Sequence, residues 1–448
     1  MDTLSIIKEL EDGLSHCTKC GQCQSVCPLF LETRIESDVA RGKLALIEAN
    51  CAHKLEVTRT LEERLKRCLL CGTCAENCPS GVEVDKLIIQ ARVVFSKMSG
   101  SSVFKWFALK IFLKNPTLFK TTIKLGRWVQ RIFFKPYNKE SVLLKPRISI
   151  GLDKRRVILP LSDLPFISSK PPDIIEKGKA QRKVAFFTGC FINYITPHVG
   201  ESIVAVLEKN GVEVMVPEDQ NCCGIVSAAS GDIDTFRSLA RRNIELFFRL
   251  NVEYIIFGCG TCYHTFKKEY LRLLFEKNGA TKCMAECVAR RSIDISEYLI
   301  NVVKVPEVVT QEFLEYGQAL PVTFHDPCHL RRSLGVYKET RELVKRIQGV
   351  EIREMNFPDR CCGGAGSFGL AYYDVSMEIL KKKMDDIRET GAHVVLTSCS
   401  GCYNQLIDGV SRVLQDVEIM HPVEFYWKRY QEERIDSERK LQILSNDT

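Results

Sequence analysis

The chain has 448 residues, 45% of them hydrophobic and 27% charged, with 21 cysteines and a formal net charge of +7. This balance fits a globular protein of about two to four domains and excludes disordered or collagen-like chains. No run of eighteen apolar residues occurs and Met1-Asp2-Thr3-Leu4 opens no basic n-region, so neither a transmembrane helix nor a signal peptide is expected. The cysteines cluster as CxxC and Cys-Cys pairs in a long chain, which points to metal ligation in a reducing cytoplasm rather than to a secreted disulfide scaffold.

Residues 1–16 predict a short helix, with Leu4, Ile7, Leu10 and Leu14 at helical spacing. It leads into Cys17-Thr-Lys-Cys-Gly-Gln-Cys-Gln-Ser-Val-Cys-Pro28, which is repeated at Cys68-Leu-Leu-Cys-Gly-Thr-Cys-Ala-Glu-Asn-Cys-Pro79. Both read C-x2-C-x2-C-x3-C-P. Three thiolates at that spacing wrap one face of an iron–sulfur cube, and the fourth ligates the other cluster in two-cluster ferredoxins. One [4Fe–4S] cluster is therefore expected on Cys17, Cys20, Cys23 and Cys78, and a second on Cys68, Cys71, Cys74 and Cys27. Helices are expected over Asp38–Glu48, Leu61–Leu69 and Val84–Met98, making residues 1–99 a small α-helical domain. Cys51, between the loops, reads as a plain thiol.

From Lys97 to Arg156 there are 15 Lys or Arg against Glu140 and Asp153, a local charge of +13 that leaves −6 for the rest. Helices are predicted near Ser102–Leu113 and Thr117–Phe134, separated by Pro116 and closed by Pro136. On the second, Lys120, Lys124, Arg127 and Arg131 share one face, with Leu118, Leu125, Val129 and Ile132 opposite; nine aromatics crowd positions 104–137. A basic amphipathic helix with Trp and Phe suits a membrane surface, and equally a helical linker packed on a neighbouring domain. Residues 140–180, with five prolines from Pro146 to Pro172, read as a linker.

From Lys183 onward the pattern alternates strand and helix. Strands Lys183–Thr188, Val212–Val216 and Tyr254–Phe257 lead to Cys190, to Cys222-Cys223-Gly224 and to Cys259-Gly-Thr-Cys262, with helices Val199–Lys209 and Ile233–Leu250 between them. The order recurs in strands Val322–His325, Glu351–Met355 and Val394–Leu396. These lead to Cys328, to Cys361-Cys362-Gly363-Gly364 and to Cys399-Ser-Gly-Cys402, with helices Tyr337–Gln348 and Tyr373–Thr390. The gaps match: 31 and 32 residues from single Cys to pair, then 35 and 36 from pair to CxxC. This is one domain in two copies. Strands joined by helical crossovers run parallel, so in each copy five thiols gather at one sheet edge, where ligands of open α/β sheets bind. Five thiolates exceed the four that tetrahedral zinc takes and suit a larger cluster; a disulfide switch and a zinc site are the alternatives.

Other features carry less. Gly364-Ala-Gly366-Ser-Phe-Gly369 matches a nucleotide-binding fingerprint in form, but follows the Cys pair rather than a strand. Cys283 and Cys287 stand at i, i+4 without His or Cys partners nearby in the sequence. His325, Asp326 and His329 flank Cys328, either ordering its loop or delivering protons. The tail from Pro422 to about Leu444 looks helical.

At these motifs the chain resembles the iron–sulfur oxidoreductase subunits with two cysteine-rich CCG domains. That family includes the iron–sulfur subunits of glycolate oxidase and anaerobic glycerol-3-phosphate dehydrogenase, and the heterodisulfide reductase subunit that fuses ferredoxin and CCG domains. The Asp-Pro-Cys-His and Arg-Cys-Cys-Gly-Gly-Ala-Gly stretches look closest to the glycolate oxidase type. In the heterodisulfide reductase branch such modules hold non-cubane [4Fe–4S] clusters, which implies one or two more clusters here, on Cys190, Cys222, Cys223, Cys259 and Cys262 and on Cys328, Cys361, Cys362, Cys399 and Cys402. In the glycolate oxidase branch a separate flavoprotein oxidises a 2-hydroxy acid and the iron–sulfur subunit accepts its electrons.

The expected architecture is α+β multidomain: a two-cluster ferredoxin domain (1–99), basic helices and linker (100–180), a first CCG domain (181–306), and a second CCG domain with a C-terminal helix (307–448), both with parallel sheets. The expected function is an electron-transfer subunit linked to a flavoprotein that oxidises a 2-hydroxy acid such as glycolate or lactate. It would deliver electrons to a quinone or other carrier, on the cytoplasmic face of the membrane. The alternative is a catalytic disulfide reductase subunit. The number of clusters weighs against a nucleic-acid partner.

Overall fold

The computed structural model describes residues 3–98, 116–139, 141–149, 151–169, 180–274, 279–309 and 319–432. The N-terminal part is helical: α1 (Thr3–Ser15), α2 (Cys23–Val26), α3 (Pro28–Thr33), α4 (Ala40–Cys51), α5 (Arg59–Lys66), α6 (Thr73–Glu76) and α7 (Val84–Met98). Its spine is α7, which buries Leu87, Ile88, Ala91, Val94 and Phe95. Helix α1 lies against it through Ile6, Leu10 and Leu14. The inner face thus centres on Ile6, with Ile7 only partly covered. The side chain of Thr58 caps α5, accepting from the Leu61 amide at 3.2 Å.

The basic helix α8 spans Pro116–Phe133, with Pro116 at its start, where its missing N–H costs nothing. The companion helix expected over 102–113 lies outside the described residues. Beyond α8, β1 (Phe134–Pro136) pairs antiparallel with β2 (Leu144–Pro146). The stretch read as a linker is packed where it is described: Arg156, Val157 and Phe166 are all buried. Arg156 donates to Gln405 Oε1 at 2.8 Å, pairs with Asp408 at 3.1 Å and reaches the Gly369 carbonyl, so this segment is fixed on the second repeat.

Each repeat builds a four-stranded, all-parallel sheet. The first is ordered β4-β3-β5-β6, from β3 (Arg182–Phe187), β4 (Val212–Met215), β5 (Tyr254–Phe257) and β6 (Ser292–Asp294). The second is ordered β10-β8-β11-β12, from β8 (Leu320–Phe324), β10 (Val350–Ile352), β11 (Val394–Leu396) and β12 (Glu418–Met420). The registers correspond, Val184 opposite Tyr254 in one and Val322 opposite Val394 in the other. The apolar runs suit strands covered on both faces. The fourth strands, three residues each, are too short to announce themselves by periodicity. The helix expected to reach Gln348 stops at Lys345, because Ile347–Gln348 (β9) pairs with Val308–Val309 (β7) and Gly349 turns at φ 84° into β10. The carboxyl-end loops of the two sheets meet: the Gly260 amide donates to the Ser398 carbonyl at 2.7 Å.

Candidate cluster sites

The two N-terminal cysteine loops have the same backbone shape. Lys19 and Leu70, each two residues after the first Cys, have φ of 59° and 52°, and Gly21 and Gly72, after the second, have φ of 84° and 72°. A left-handed residue without Gly is strained, and its recurrence at both loops marks a conformation imposed by their task. The curl turns amides onto sulfur: Leu70 N approaches Cys68 Sγ at 3.5 Å and Val82 N approaches Cys78 Sγ at 3.4 Å. Helices α2 and α6, which begin inside the two loops, pack together. Cys27, Cys68, Cys71 and Cys74 line one cleft, the set expected from the crossed spacing. Cys17 and Cys20 lie close enough to Cys23 to act on its charge. Burial pushes the Cys27 thiol up to about 12 and Cys74 well above its ordinary value, so these sulfurs need a cationic partner to stand as thiolates.

In the repeats the cysteines stand on loops after strand ends. Cys190 and Cys328 follow β3 and β8, the pairs Cys222-Cys223 and Cys361-Cys362 follow β4 and β10, and Cys259 and Cys399 open helices after β5 and β11. Gly224 and Gly363, next to the pairs, have φ of 86° and 82°, and a Cβ on Gly363 would come within 2.6 Å of the Ser376 carbonyl oxygen. Glycine is required there for the pair to turn inward.

These eight cysteines, together with Cys262, Cys402 and Cys71, line one cavity of about 850 Å³ between the two repeats. Of the two single cysteines, Cys190 is exposed and Cys328 half-buried, and both line it. Its wall also contains Arg156, Asp85, His264, Glu269 and Arg272, while Val129 and Phe133 of α8 close one side. The donor set fits iron–sulfur clusters: soft thiols in excess of a tetrahedral zinc shell, in a space larger than one ion. Gly189, at φ 63°, would bring a Cβ to 3.2 Å from Cys262 Sγ, so the absence of a side chain keeps the loop at the sulfurs.

The sites adjoin one another. Cys71 shares a hydrogen bond with Cys361, which holds its thiol down to about 6. Cys259 is held low by hydrogen bonds from Cys262 and Cys399, the latter from the other repeat. Around that contact Ser400 Oγ donates to Cys259 Sγ at 3.1 Å, and Thr261 Oγ1 lies 3.1 Å from Cys399 Sγ.

Asp85, His264, Glu269 and Arg272 of the cavity wall escaped the sequence reading. His264 and His329 stack with centroids 4.7 Å apart. His264 Nε2 is 3.1 Å from Glu269, Glu269 is 3.0 Å from Arg272, and Arg272 pairs with Asp85 at 2.7 Å, tying the N-terminal helices to the first repeat. Nothing in their spacing marks them, since they come from three distant segments. His329 shares a 2.9 Å hydrogen bond with Thr261, and Asp326 holds Arg331 and Arg341 at 2.6 and 2.8 Å, which suits loop ordering. Cys51 is half-buried at the end of α4, and Cys283 and Cys287 sit on the helix Ala280–Arg291; among the described residues no metal-ligating group includes them. Gly364–Gly369 leads into the helix Phe368–Ala371 and lines the cluster cavity.

Comparison with known proteins gives two matching families. The 4Fe-4S dicluster domain matches residues 13–82, and the cysteine-rich domain CCG matches twice, at 184–267 and 322–407. The probable glycolate oxidase iron-sulfur subunit of Bacillus subtilis is 29% identical over 414 residues, covering 90% of each chain. Lactate utilization protein A of Bacillus cereus is 30% identical over 244 residues, 54% of this chain and 97% of the relative. One subunit of the dihydromethanophenazine:CoB–CoM heterodisulfide reductase from Methanosarcina acetivorans is 26% identical over 428 residues, 91% of each chain.

Proposed function

The chain belongs to the iron–sulfur oxidoreductase subunits that join a 4Fe-4S dicluster domain to two cysteine-rich CCG domains, and from that premise we propose a donor, an acceptor and a set of cluster ligands for it. It is an electron-transfer subunit, and its donor is a flavoprotein dehydrogenase oxidising a 2-hydroxy acid such as glycolate or lactate. Its acceptor is a quinone or another carrier at the membrane. The glycolate and lactate relatives support this donor class. Cys17, Cys20, Cys23 and Cys78 hold one cubane cluster and Cys27, Cys68, Cys71 and Cys74 the other. Each CCG set of five holds a further, non-cubane cluster. Bound clusters supply one-electron transfer; the residues hold the sites in series and shield them from water.

The observation that carries this reading is the direct contact between successive ligand sets. Cys71 of the dicluster domain touches Cys361 of the second repeat, and Cys399 of that repeat touches Cys259 of the first. A structural staple has no need of such a chain of adjacent sites, whereas electron transfer between them is favoured by their closeness.

Helix α8 supports attachment to the cytoplasmic face of the membrane. Leu125, Trp128 and Ile132 are 61%, 70% and 56% exposed, and Arg131, Lys135, Lys139 and Arg147 are exposed beside them. Apolar area beside cations is what binds anionic headgroups. Val129, placed by periodicity with these apolar residues, faces the cavity instead. Among the described residues no helix is long and apolar enough to cross a membrane.

A second reading, disulfide reduction, draws on the cavity itself, which gives a sulfur-bearing substrate room beside both CCG sets, and on the heterodisulfide reductase relative. Anoxic purification from native membranes, with a flavin assay and identification of co-purifying chains, separates the two. The relay reading expects a stoichiometric flavoprotein and no disulfide turnover by the isolated chain. A chain without flavoprotein that reduces organic disulfides overturns it.

A further inference from the structure

The two repeats share their cysteines but not the residues around them. Counting back from the single cysteine, Phe187 in the first repeat corresponds to His325 in the second. Phe187 is buried among Phe247, Phe257 and Phe266, at ring distances of 5.8, 5.4 and 4.6 Å. His325 is 2% exposed; its ring faces the Cys362 sulfur, whose thiol it helps hold down, and neither ring nitrogen has an oxygen or nitrogen partner. Its ligand atoms and those of Cys362 and Cys402 all lie within 4.8 Å of one another. A buried polar atom left unpaired costs about 1–3 kcal/mol. Packing alone does not call for that cost, because an aromatic hydrocarbon fills the same position in the first repeat.

We infer that His325 is a nitrogen ligand to the iron–sulfur group of the second repeat, beside Cys362 and Cys402, and that the first repeat has no counterpart. The second repeat then offers five sulfurs and an imidazole, the first five sulfurs alone. This rests on the proposal that the CCG cysteines hold clusters.

The charged groups around the two sets differ as well. Lys383, fully buried, donates to the Phe357 and Pro358 carbonyls at 2.5 and 3.3 Å, where the corresponding helix of the first repeat uses Asn243 to hold the Cys222 carbonyl at 3.1 Å. Arg332, with a side chain 7% exposed, acts on Cys71, Cys328 and Cys361; its counterpart after Cys190 is Tyr194. Lys383 is paired with Asp386 at 3.7 Å and Arg332 with Glu76 and Asp359 at 3.0 and 2.8 Å, so the difference rests on the imidazole, whose ligation favours an added electron. The second repeat, which adjoins the dicluster domain through Cys71, is therefore the site of higher potential, and the duplicated modules are two different redox sites.

The test uses the full chain, purified without oxygen from cells fed 15N-histidine, reduced in steps and measured by pulsed EPR. The expected result is one signal strongly coupled to a histidine nitrogen. That coupling disappears in His325→Phe, which copies the first repeat, and in His325→Gln, and the midpoint potential of the same signal falls while the others stay. Absence of a coupled histidine nitrogen in the unsubstituted chain overturns the inference, as does its survival in both variants. Iron content answers separately for the underlying proposal. If replacing Cys361 and Cys362 by Ser removes no iron, that proposal fails too; if it removes iron and no nitrogen coupling exists, only the inference fails.

Discussion

Arg92→Met tests how far a buried guanidinium holds the dicluster domain on the first repeat. Arg92 sits on α7, 5% exposed. Its Nε and Nη2 donate to the Leu65 carbonyl at 3.1 and 2.7 Å, Nη2 also to Lys66 and Cys68 at 3.1 and 2.8 Å, and Nη1 to Ala229 of the first repeat at 2.6 Å. Methionine keeps the length and loses every donor. Four carbonyls then lose a charged partner, about 1–3 kcal/mol each if left dry. Against this stands the relief of no longer burying a guanidinium, several kcal/mol. The net expectation is a loss of about 2–5 kcal/mol. Because the Cys68 carbonyl is among the four, the loop carrying Cys68 and Cys71 loosens first. Denaturant unfolding followed in parallel with iron release, under anoxia, reads both effects. Arg92→Met should unfold at lower denaturant and release iron before the rest of the chain unfolds. An unchanged midpoint with full iron retention would refute the reasoning.

Gly363→Ala places a methyl 2.6 Å from the Ser376 carbonyl at a left-handed φ of 82°, whereas Gly72, at φ 72°, has open space around its Cβ position. Gly363→Ala should cost at least about 2 kcal/mol and lower bound iron, and Gly72→Ala only about 1 kcal/mol, read by unfolding and iron analysis; equal effects would contradict the packing argument. Cys71→Ala should remove the dicluster-side contact with Cys361, slowing reduction of the CCG sites by a chemical donor to the dicluster domain at least tenfold in stopped-flow absorbance. Asp294 is fully buried, accepts the Ser296 amide at 2.8 Å with Oδ1, and is pushed by burial from 3.8 up to about 7. The folded state thus keeps a proton that the unfolded chain gives up. The associated stability is present below about pH 4 and is lost as pH rises through about 7. Asp294→Asn should therefore gain on the unsubstituted chain by about 2–4 kcal/mol between pH 4 and 8, and parallel pH profiles would count against it.

The parts of this protein legible in the sequence are those written in short-range spacing. The C-x2-C-x2-C-x3-C-P runs needed only twelve residues each to suggest which cysteines cross between clusters, and Cys27, Cys68, Cys71 and Cys74 line one cleft. The strands β5 and β11 fall on their expected residues because apolar runs covered on both faces stand out from their neighbours. Strands β6 and β12 did not stand out, since three residues paired only to the edge of a finished sheet carry no period of their own. Arg156 lay hidden for another reason. It was one of fifteen basic residues in a segment whose composition reads as solvated, and only the tertiary fold shows it buried against Asp408.

The same distinction explains why the sites looked identical on paper. Matched gaps of 31 and 32 residues, then 35 and 36, record the duplication of a backbone that sets five sulfurs at a sheet edge. They say nothing of what stands against those sulfurs from other elements. Glu76 of the dicluster domain and Asp359 of the second repeat hold Arg332 at 3.0 and 2.8 Å, and Arg332 in turn faces Cys71, Cys328 and Cys361. The first repeat receives Arg92 and the Asp85–Arg272 pair instead, each bracing backbone or carboxylate rather than facing the cysteine pair. Duplication supplied two equal frames, and both the exchanges Phe187 to His325, Asn243 to Lys383 and Tyr194 to Arg332 and the docking of the helical domain beside the second repeat made them unequal.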